Sequence, residues 1–223
     1  MFLEIPQLLS DPEIARLRQL SQELRFIEGR QSNPANTEKN NLQAAADTGD
    51  PRYAESSQIV GAAMMRSPQV RGFAFPKRMA PPLLARYEPG MKYGPHADAA
   101  RVHSAAGMLR SDISATVFLS EPDSYEGGEL VVHLGTRPVA FKGRPGEAII
   151  YPSTLLHEVR PVTAGQRLVS ITFIESFIAE EYLRTQLYEL NEVAALEGLK
   201  MSWESRIRLE VVRQNLERLW SEG

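Results

Sequence analysis

The sequence predicts an α+β protein with an antiparallel β core, a sandwich or a barrel, and helices at both ends of the chain. Residues 73–176 hold short apolar runs, rich in β-branched and aromatic residues and separated by Gly and Pro. Apolar residues at helical spacing precede this region and follow it. The 223 residues, 43% hydrophobic and 24% charged, suffice for one large domain with a small appendage.

The first 76 residues are predicted to form helices and short strands that pack on the outside of the sheet. Residues 2–9 are expected to be a short strand or a lead-in. Residues 10–13, Ser-Asp-Pro-Glu, form a capping box with proline in the first turn, so a helix begins there. A second helix begins at Asp50-Pro51 and ends at Ser67-Pro68, which can open a further turn. Residues 26–29 indicate a strand, and residues 30–50, polar and rich in Asn, indicate a long loop, of a length that is usually functional or mobile.

The central region is predicted to hold the β core, and the last part of the chain to hold two helices. The predicted strands are 73–79, 83–88, 92–98, 112–120, 128–134, 137–142, 147–151, 156–160 and 166–177. After residue 178 the apolar residues follow helical spacing again, which indicates a small subdomain or an interface. The predicted division is therefore 1–76 for the N-terminal part, 77–178 for the core and 179–223 for the C-terminal helices.

Composition and charge exclude several classes of site. The chain has no cysteine, which excludes disulfides, iron–sulfur clusters, thiolate zinc sites and thiol nucleophiles. The net charge of −3 gives no general electrostatic reason to bind nucleic acid or an anionic membrane. The N-terminus lacks a basic segment followed by an apolar run, and no apolar run is long enough to span a bilayer. We therefore expect no signal peptide, no membrane span and a cytoplasmic location.

A His-x-Asp pair, His96 and Asp98, ends the segment 86–98. In an extended strand, residues i and i+2 point to the same face, so both side chains could bind one metal ion. A third ligand would have to be one of three other histidines. Of these, His157 lies on a predicted strand, His103 lies in a loop where it is solvated or lines the substrate mouth, and His133 is expected at the surface.

The order of His96, Asp98, His157 and Arg167 predicts a non-haem Fe(II) site. Two imidazoles and one carboxylate on one face of an octahedral iron leave three positions for a bidentate keto-acid and O2. Arg167 follows ten residues after His157, at the start of the next predicted strand. A guanidinium there would pair with the distal carboxylate of a dicarboxylic keto-acid and stay charged when desolvated.

Four further side chains are candidates for the same site. The hydroxyls of Ser114 and Thr116 share one face of the strand predicted at 112–120 and could complete the shell of that distal carboxylate. Tyr87 and Tyr93 could bind the keto-acid or an iron-bound water, although a tyrosine in a strand is commonly a core residue with a satisfied hydroxyl. Asp112 would either support a ligand histidine or cap the end of its strand.

Several ordered segments resemble the bacterial PKHD-type hydroxylases, a branch of the Fe(II)/2-oxoglutarate-dependent dioxygenases related to prolyl 4-hydroxylases. The resemblance runs from about Ile5 to the C-terminus. The segments that carry it are Lys39-Asn40-Asn41, 86–98, 112–120, 125–132, the spacing from Gly146 through Pro152-Ser153 to His157, 159–163 and Gly165-x-Arg167. The chain departs from the family pattern at Ala97, Ala164 and Glu175, none of which is a candidate ligand.

The resemblance implies a double-stranded β-helix, or jelly roll, with Fe(II) on His96, Asp98 and His157 and with 2-oxoglutarate on Arg167. It also implies a hydroxylase that consumes O2, converts 2-oxoglutarate to succinate and CO2, and acts on a small molecule or a peptide. L-ascorbate as a reductant and a role in iron homeostasis are further expectations from the family. The loop at 30–50 and the segment 99–111 are expected to frame the mouth of the site.

Alternative functions remain open from the sequence. The same iron centre could support halogenation, desaturation or epimerisation, although Asp98 occupies the position that a halide would need. A non-catalytic β-helix protein could sense iron or 2-oxoglutarate and use its C-terminal helices as a partner surface. A zinc or manganese enzyme would fit the three ligands but would leave Arg167 unexplained. We expect no nucleic-acid or membrane partner, and a homo-oligomer through the C-terminal helices is a further hypothesis.

Overall fold

The protein is built from two antiparallel sheets that face each other, with helices covering the outside of the larger one. The computed structural model describes residues 1–46, 49–104 and 107–221. The helices are α1 Asp11–Glu23, α2 Pro51–Arg66, α3 Pro68–Ala74, α4 Glu181–Glu197 and α5 Trp203–Trp220. The strands are β1 Leu3–Ile5, β2 Phe26–Glu28, β3 Lys39–Asn40, β4 Leu42–Ala44, β5 Pro76–Met79, β6 Leu83–Tyr87, β7 Lys92–His96, β8 Arg101–Ser104, β9 Gly107–Arg110, β10 Ile113–Phe118, β11 Tyr125–Gly127, β12 Leu130–Leu134, β13 Arg137–Phe141, β14 Ala148–Pro152, β15 His157–Val159, β16 Val162–Gly165 and β17 Arg167–Ser176.

The strand order confirms the predicted α+β jelly roll. The larger sheet runs β1-β14-β10-β17-β6-β4-β2, with β5 added alongside β17. The smaller sheet runs β13-β12-β15-β7-β3. Two short pairs, β11-β16 and β8-β9, lie outside these sheets in the part of the chain described. Every strand pair in these sheets is antiparallel, as expected for a sandwich closed by many short connections.

Successive side chains along the strands of the larger sheet point to opposite faces, and apolar side chains on both faces form two apolar layers. Ala115 and Val117 of β10 face the helices and pack with residues of α1, α2 and α3. Phe118 of β10 and Val169 of β17 face the smaller sheet, where they pack with Leu130 and other residues of β12 and β15. The space between the sheets is the second layer, and the candidate site lies there.

The predicted N-terminal helices are confirmed together with their capping residues. The carboxylate of Glu13 accepts hydrogen bonds from the Ser10 N–H at 2.9 Å and from its hydroxyl at 2.8 Å. Asp50 caps α2 by accepting the N–H of Arg52, and Ser67 caps α3 by accepting the N–H of Val70. These local hydrogen bonds satisfy N–H groups that the first helical turn leaves free.

The prediction of a long loop over residues 30–50 was wrong in part. Gly29–Ser32 form a 3-10 turn, and β3 and β4 follow within the segment. Strands of two and three residues are too short to show a period of two, and they are stabilised by pairing with β7, β6 and β2. The strands β8, β9, β11 and β16, of three or four residues each, were not predicted either.

Two predicted strand boundaries were also wrong. The strand predicted at 73–79 begins at Pro76, because α3 continues to Ala74 and Phe75 ends it in the left-handed conformation (φ 44°). The strand predicted at 92–98 ends at His96, so Asp98 follows the strand and is not part of it. Strand alternation therefore does not by itself bring Asp98 to the same side as His96.

The two C-terminal helices are confirmed, and α4 packs on α3 through a small cluster around Phe75, Ile178 and Leu187. No helix among the described residues is long and apolar enough to cross a membrane. The division at residues 76 and 178 stays a prediction. Within it, the first segment contributes β1, β2, β3 and β4 to the two main sheets.

Candidate metal and keto-acid site

The three predicted metal ligands lie together between the sheets. Strands β7 and β15 are neighbours, and their register places His96 opposite His157, with ring centroids 4.2 Å apart. The Asp98 N–H is held by the carbonyl of Ser153 at 3.2 Å, which turns its side chain back toward both imidazoles. The Asp98 Oδ1 lies 3.9 Å from His96 Nε2, and its Oδ2 lies 3.6 Å from His157 Nε2. One potential ligand atom of each residue lies within 4.8 Å of those of the other two, so a single ion could bind all three.

Hydrogen bonds prepare both imidazoles to act as ligands. The Nδ1 of His96 is 2.7 Å from the Gly94 carbonyl, and the Nδ1 of His157 is 3.0 Å from the Leu155 carbonyl. Because a carbonyl only accepts, each Nδ1 carries the proton and each Nε2 presents its lone pair to the centre. Burial, reinforced by the neighbouring His157, lowers the pKa of His96 to about 4, so this ring is neutral at pH 7.

A chain of serine hydroxyls orients the carboxylate of Asp98. Ser114 donates to Asp98 Oδ2 at 2.5 Å, and its oxygen lies 2.7 Å from the Ser153 hydroxyl, which Ser111 reaches at 2.9 Å. The sequence predicts Ser114 beside Arg167. It pairs instead with Phe173, six residues along β17 from Arg167, which is roughly 20 Å of strand. Ser114 thus lies against the candidate metal ligand Asp98 and not beside Arg167.

Arg167 is buried between the sheets without a partner of opposite charge. It is 1% exposed, it opens β17 opposite Tyr87, and its guanidinium carbon lies 4.9 Å from the Tyr87 ring centroid. Burial raises the pKa of the neighbouring Tyr125, and the positive charge of Arg167 opposes part of that effect. Its Nε has no hydrogen-bond partner, and no carboxylate of the described residues lies within 4.0 Å of it. Because an unpaired buried charge is costly, the distal carboxylate of a bound keto-acid would fit here.

The remaining candidates lie around the site in different roles. Tyr87 is buried, which raises the pKa of its hydroxyl, and its ring lies against the guanidinium of Arg167, while Asn41 is a polar neighbour of that hydroxyl. Thr116 is a polar neighbour of Tyr151, whose ring edge meets His157 at 5.1 Å between centroids. In the register of β10 on β17, Thr116 pairs with Ile171, four residues along the strand from Arg167.

Two buried polar residues next to the site, Lys39 and Asn41, were not among the candidates from the sequence. Strand β3 places Lys39 opposite Tyr93, with its Nζ 4.9 Å from the ring centroid, and Asn41 reaches Tyr87. The Tyr93 ring stacks on His96 with centroids 3.5 Å apart. The signal that could have identified them is the Lys39-Asn40-Asn41 segment, one of the segments that carry the family resemblance. Because residues 30–50 were predicted to be a loop, no position in a sheet was assigned to it.

Three other residues considered for the site from the sequence lie outside the three-ligand cluster. His103 is exposed on β8, and His133 lies on β12 outside the cluster that could hold a metal. Asp112 pairs with Arg110 at 2.8 Å and accepts the Ser176 N–H at 2.8 Å. Asp112 therefore ties the start of β10 to the end of β17, which is the strand-end role among the two expected for it.

Comparison with known proteins agrees with this geometry. Residues 82–175 match the family model of the 2OG-Fe(II) oxygenase superfamily. A PKHD-type hydroxylase of Sphingopyxis alaskensis is 48% identical over 220 residues, covering 97% of this chain and 98% of that protein. The structure of a Pseudomonas putida prolyl-4-hydroxylase aligns with a TM-score of 0.57 at 18% identity, over 78% of this chain and 92% of that one. The structure of a Trichoplax adhaerens prolyl hydroxylase, solved with a peptide fragment of hypoxia inducible factor, also aligns with a TM-score of 0.57. Its identity is 17%, and the alignment covers 78% of this chain and 83% of that one.

Proposed function

We propose that this chain, which belongs to the PKHD-type hydroxylases of the 2OG-Fe(II) oxygenase superfamily, hydroxylates a peptide or amino-acid-like substrate and decarboxylates 2-oxoglutarate to succinate. As a member of that family it is an oxidoreductase of the dioxygenase type that uses Fe(II) and 2-oxoglutarate. The observation that carries the proposal is the buried, unpaired guanidinium of Arg167 in the same inter-sheet space as a pre-formed three-ligand cluster.

The residues of the chain fit both groups. His96, Asp98 and His157 would hold Fe(II) through two neutral imidazoles and one carboxylate, and Arg167 would fix the distal end of 2-oxoglutarate. Tyr87 and Tyr125 keep the guanidinium in place and exclude water from it. When bound, the metal and the keto-acid supply, together with O2, the oxidation that converts a substrate C–H to C–OH.

The nature of the substrate is supported by the relatives. The Trichoplax prolyl hydroxylase was solved with a peptide fragment, and the Pseudomonas relative is a prolyl-4-hydroxylase. Both share the fold at low identity, so a peptide or amino-acid-like substrate is proposed on that basis. Halogenation is disfavoured because Asp98 supplies a carboxylate where a halide would have to bind. L-ascorbate as a reductant, a role in iron homeostasis and a cytoplasmic location stay predictions.

Anaerobic spectroscopy tests the metal and keto-acid roles. Fe(II) and 2-oxoglutarate added to the wild type are expected to give the visible charge-transfer band of the chelate, and O2 is then expected to yield succinate. His157→Ala should lose the band, because one of three ligands is gone, whereas His103→Ala, outside the cluster, should keep it. Arg167→Met should weaken 2-oxoglutarate binding and leave binding of the metal alone intact.

The outcomes separate the rival functions. A wild type without the band, or a band unchanged in His157→Ala, would refute the assignment of the metal site. A band that forms normally without any succinate, with or without candidate peptides, would favour the non-catalytic sensor. Loss of metal binding in Arg167→Met would contradict a role limited to the keto-acid.

A further inference from the structure

A second buried cation lies on the inner face of the smaller sheet, and the roles assigned above do not use it. Lys39 is only 6% exposed. Its Nζ donates to the Ser32 hydroxyl at 2.6 Å and lies 4.9 Å from the Tyr93 ring centroid. Within the described part of the chain, no carboxylate approaches this ammonium to within 4.0 Å. Lys39 thus resembles Arg167 in being a buried charge without an acidic partner.

The location of Lys39 connects it to the metal cluster. The register of β3 on β7 places it opposite Tyr93, and the Tyr93 ring stacks on the imidazole of His96 at 3.5 Å and 18°. The amide of Asn33 donates to the Tyr93 hydroxyl at 3.1 Å and so helps to fix that ring. The three ligand side chains are 6–12% exposed, so Lys39 is about as buried as they are.

The ammonium of Lys39 can donate further hydrogen bonds. An ammonium carries three N–H donors, and here one is directed to a hydroxyl while the ring of Tyr93 offers only its π face. Burial lowers the pKa of Lys39 to about 8, and the negative charge of Asp98 opposes part of that effect. The group is therefore still largely charged at pH 7, and an anion brought close to it would compensate the cost of its burial.

We propose that Lys39 forms an anion subsite that binds a carboxylate of the substrate to be hydroxylated. The inference rests on the proposed function, and it narrows the substrate class to peptides or amino-acid derivatives that carry a carboxylate near the reacting carbon. Arg167 lies on β17 of the opposite sheet and accounts for the distal carboxylate of 2-oxoglutarate. The carboxylate bound by Lys39 is therefore a different one, which the substrate contributes either from an acidic side chain or from its C-terminus.

Matched peptides on matched variants test this subsite. The probes are N-acetyl-Pro-Asp-amide against N-acetyl-Pro-Asn-amide for a side-chain carboxylate, and N-acetyl-Pro-Gly as free acid or as amide for a C-terminal one. Each is titrated by calorimetry into protein loaded with Mn(II) and 2-oxoglutarate, and into unloaded protein. The variants are Lys39→Met, which keeps the length of the side chain without its charge, and Lys39→Arg. The control is Lys92→Met, because Lys92 lies on neighbouring β7 but pairs with Glu38 at the surface.

We expect the wild type and Lys92→Met to bind at least one acidic probe about tenfold more tightly than its amide, since one hydrogen-bonded ion pair of about 1.4 kcal/mol gives that ratio. Lys39→Met should remove the difference and raise KM more than it lowers kcat in the succinate assay with the acidic probe, and Lys39→Arg should retain part of the preference. Which pair of probes shows the preference identifies the source of the carboxylate.

Three results would overturn the inference: equal binding of acid and amide probes to the wild type, a preference that survives in Lys39→Met, or loss of 2-oxoglutarate affinity in Lys39→Met. The last result would mean that Lys39 binds the keto-acid itself. Because the titrations need no turnover, they decide the subsite even where no succinate is formed, and failure of the charge-transfer band would refute the proposed function separately.

Discussion

The hydroxyl of Ser114 holds the carboxylate of Asp98 in a fixed orientation between the two imidazoles. Its hydrogen bond of 2.5 Å occupies Oδ2, and the Ser153 hydroxyl behind it holds Ser114 in turn. A carboxylate held in this way presents Oδ1 beside His96 without rotating about its last bond. Residues in such supporting positions commonly change metal affinity by about 10- to 100-fold when they are lost.

Ser114→Ala is therefore expected to weaken binding of Mn(II) or Co(II) to the metal-free protein by at least about tenfold. Calorimetric titration measures this affinity, and the visible spectrum of bound Co(II) reports whether the ligand geometry changes. Ser170→Ala is the matched control, because Ser170 is equally buried in the same sheet but bonds only the Leu83 carbonyl. Equal affinity and spectrum in Ser114→Ala and Ser170→Ala would contradict the positioning role.

At the scale of secondary-structure elements, a bidentate salt bridge joins the first two helices. Arg66 at the end of α2 donates to both carboxylate oxygens of Glu13 in the first turn of α1, at 2.6 and 2.7 Å. The same guanidinium donates to the Leu8 carbonyl at 3.2 Å. Because Glu13 also accepts from Ser10, one carboxylate caps α1 and fixes the position of α2 against it. The hydrogen bonds from Arg66 are the main cause that lowers the pKa of Glu13 to about 2.

Glu13→Gln should lower the free energy of unfolding by about 1 kcal/mol at pH 7, which is typical for a partly exposed pair that includes a helix cap. The folded pKa lies below the ordinary 4.5, so this stability is fully present above about pH 4.5 and is lost as the pH falls through about 2. Urea unfolding of both proteins across this range measures the effect. Glu121→Gln, in a single-contact and more exposed pair with Arg18, is the control. A deficit that is the same at pH 7 and pH 2 would exclude the ionised carboxylate as its source.

The turn before β12 is shaped around Arg167. Gly128 has φ +67°, and a Cβ added there would lie 3.1 Å from the Cδ of Arg167 and 2.9 Å from a methyl of Val162. Gly135, with φ +61°, follows β12 and has open space where its Cβ would be. The two glycines therefore share the same backbone requirement, but only Gly128 also leaves room for the guanidinium side chain.

Gly128→Ala should raise the dissociation constant of 2-oxoglutarate on the order of tenfold, which corresponds to displacing Arg167 at a cost of about 1.4 kcal/mol. Gly135→Ala should lose a similar amount of stability from backbone strain and should keep its 2-oxoglutarate affinity. Anaerobic titration of the charge-transfer band gives the affinity, and thermal unfolding gives the stability. Equal affinities in the two variants would show that the Cβ of residue 128 does not disturb Arg167.

At the scale of the whole molecule, the C-terminal helix α5 covers little of the protein. None of its residues is buried, and Trp203 and Leu219 are 73% and 75% exposed. Its contact with the rest of the described chain runs mainly through α4, by way of Leu216 and Trp220. Exposed apolar side chains on one helix favour the prediction that a second copy of the chain packs there.

A dimer through α5 should appear in light scattering as a mass above that of the 24.9 kDa chain, increasing with protein concentration. Trp203→Ser combined with Ile207→Ser should reduce that mass toward the monomer and leave 2-oxoglutarate binding unchanged. Met65→Ser is the control, because Met65 is an exposed apolar residue of a different helix, α2. A wild type that stays monomeric at every concentration would contradict the prediction.

The sequence by itself determined the helices, because the residues that specify a helix lie close together in the chain. The capping residues around Ser10 and Asp50 and the spacing of apolar residues predicted the helices, because caps and amphipathic faces depend on near neighbours. The candidate metal ligands could be named for a different reason. Imidazoles are few in this chain, and of the three histidines other than His96, His103 was expected in a loop and His133 at the surface, which left His157.

Only the tertiary structure decided the partners of the site residues. The register between β10 and β17 sends Ser114 to Asp98 and away from Arg167, and a register is set by strands far apart in the chain. The two residues of β3 carry no periodic signal, yet their pairing with β7 brings Lys39 to the ring that stacks on His96. Residue types and their order thus predicted the chemistry. The contacts that orient the ligands and surround the substrate depend on long-range pairing, which local sequence does not encode.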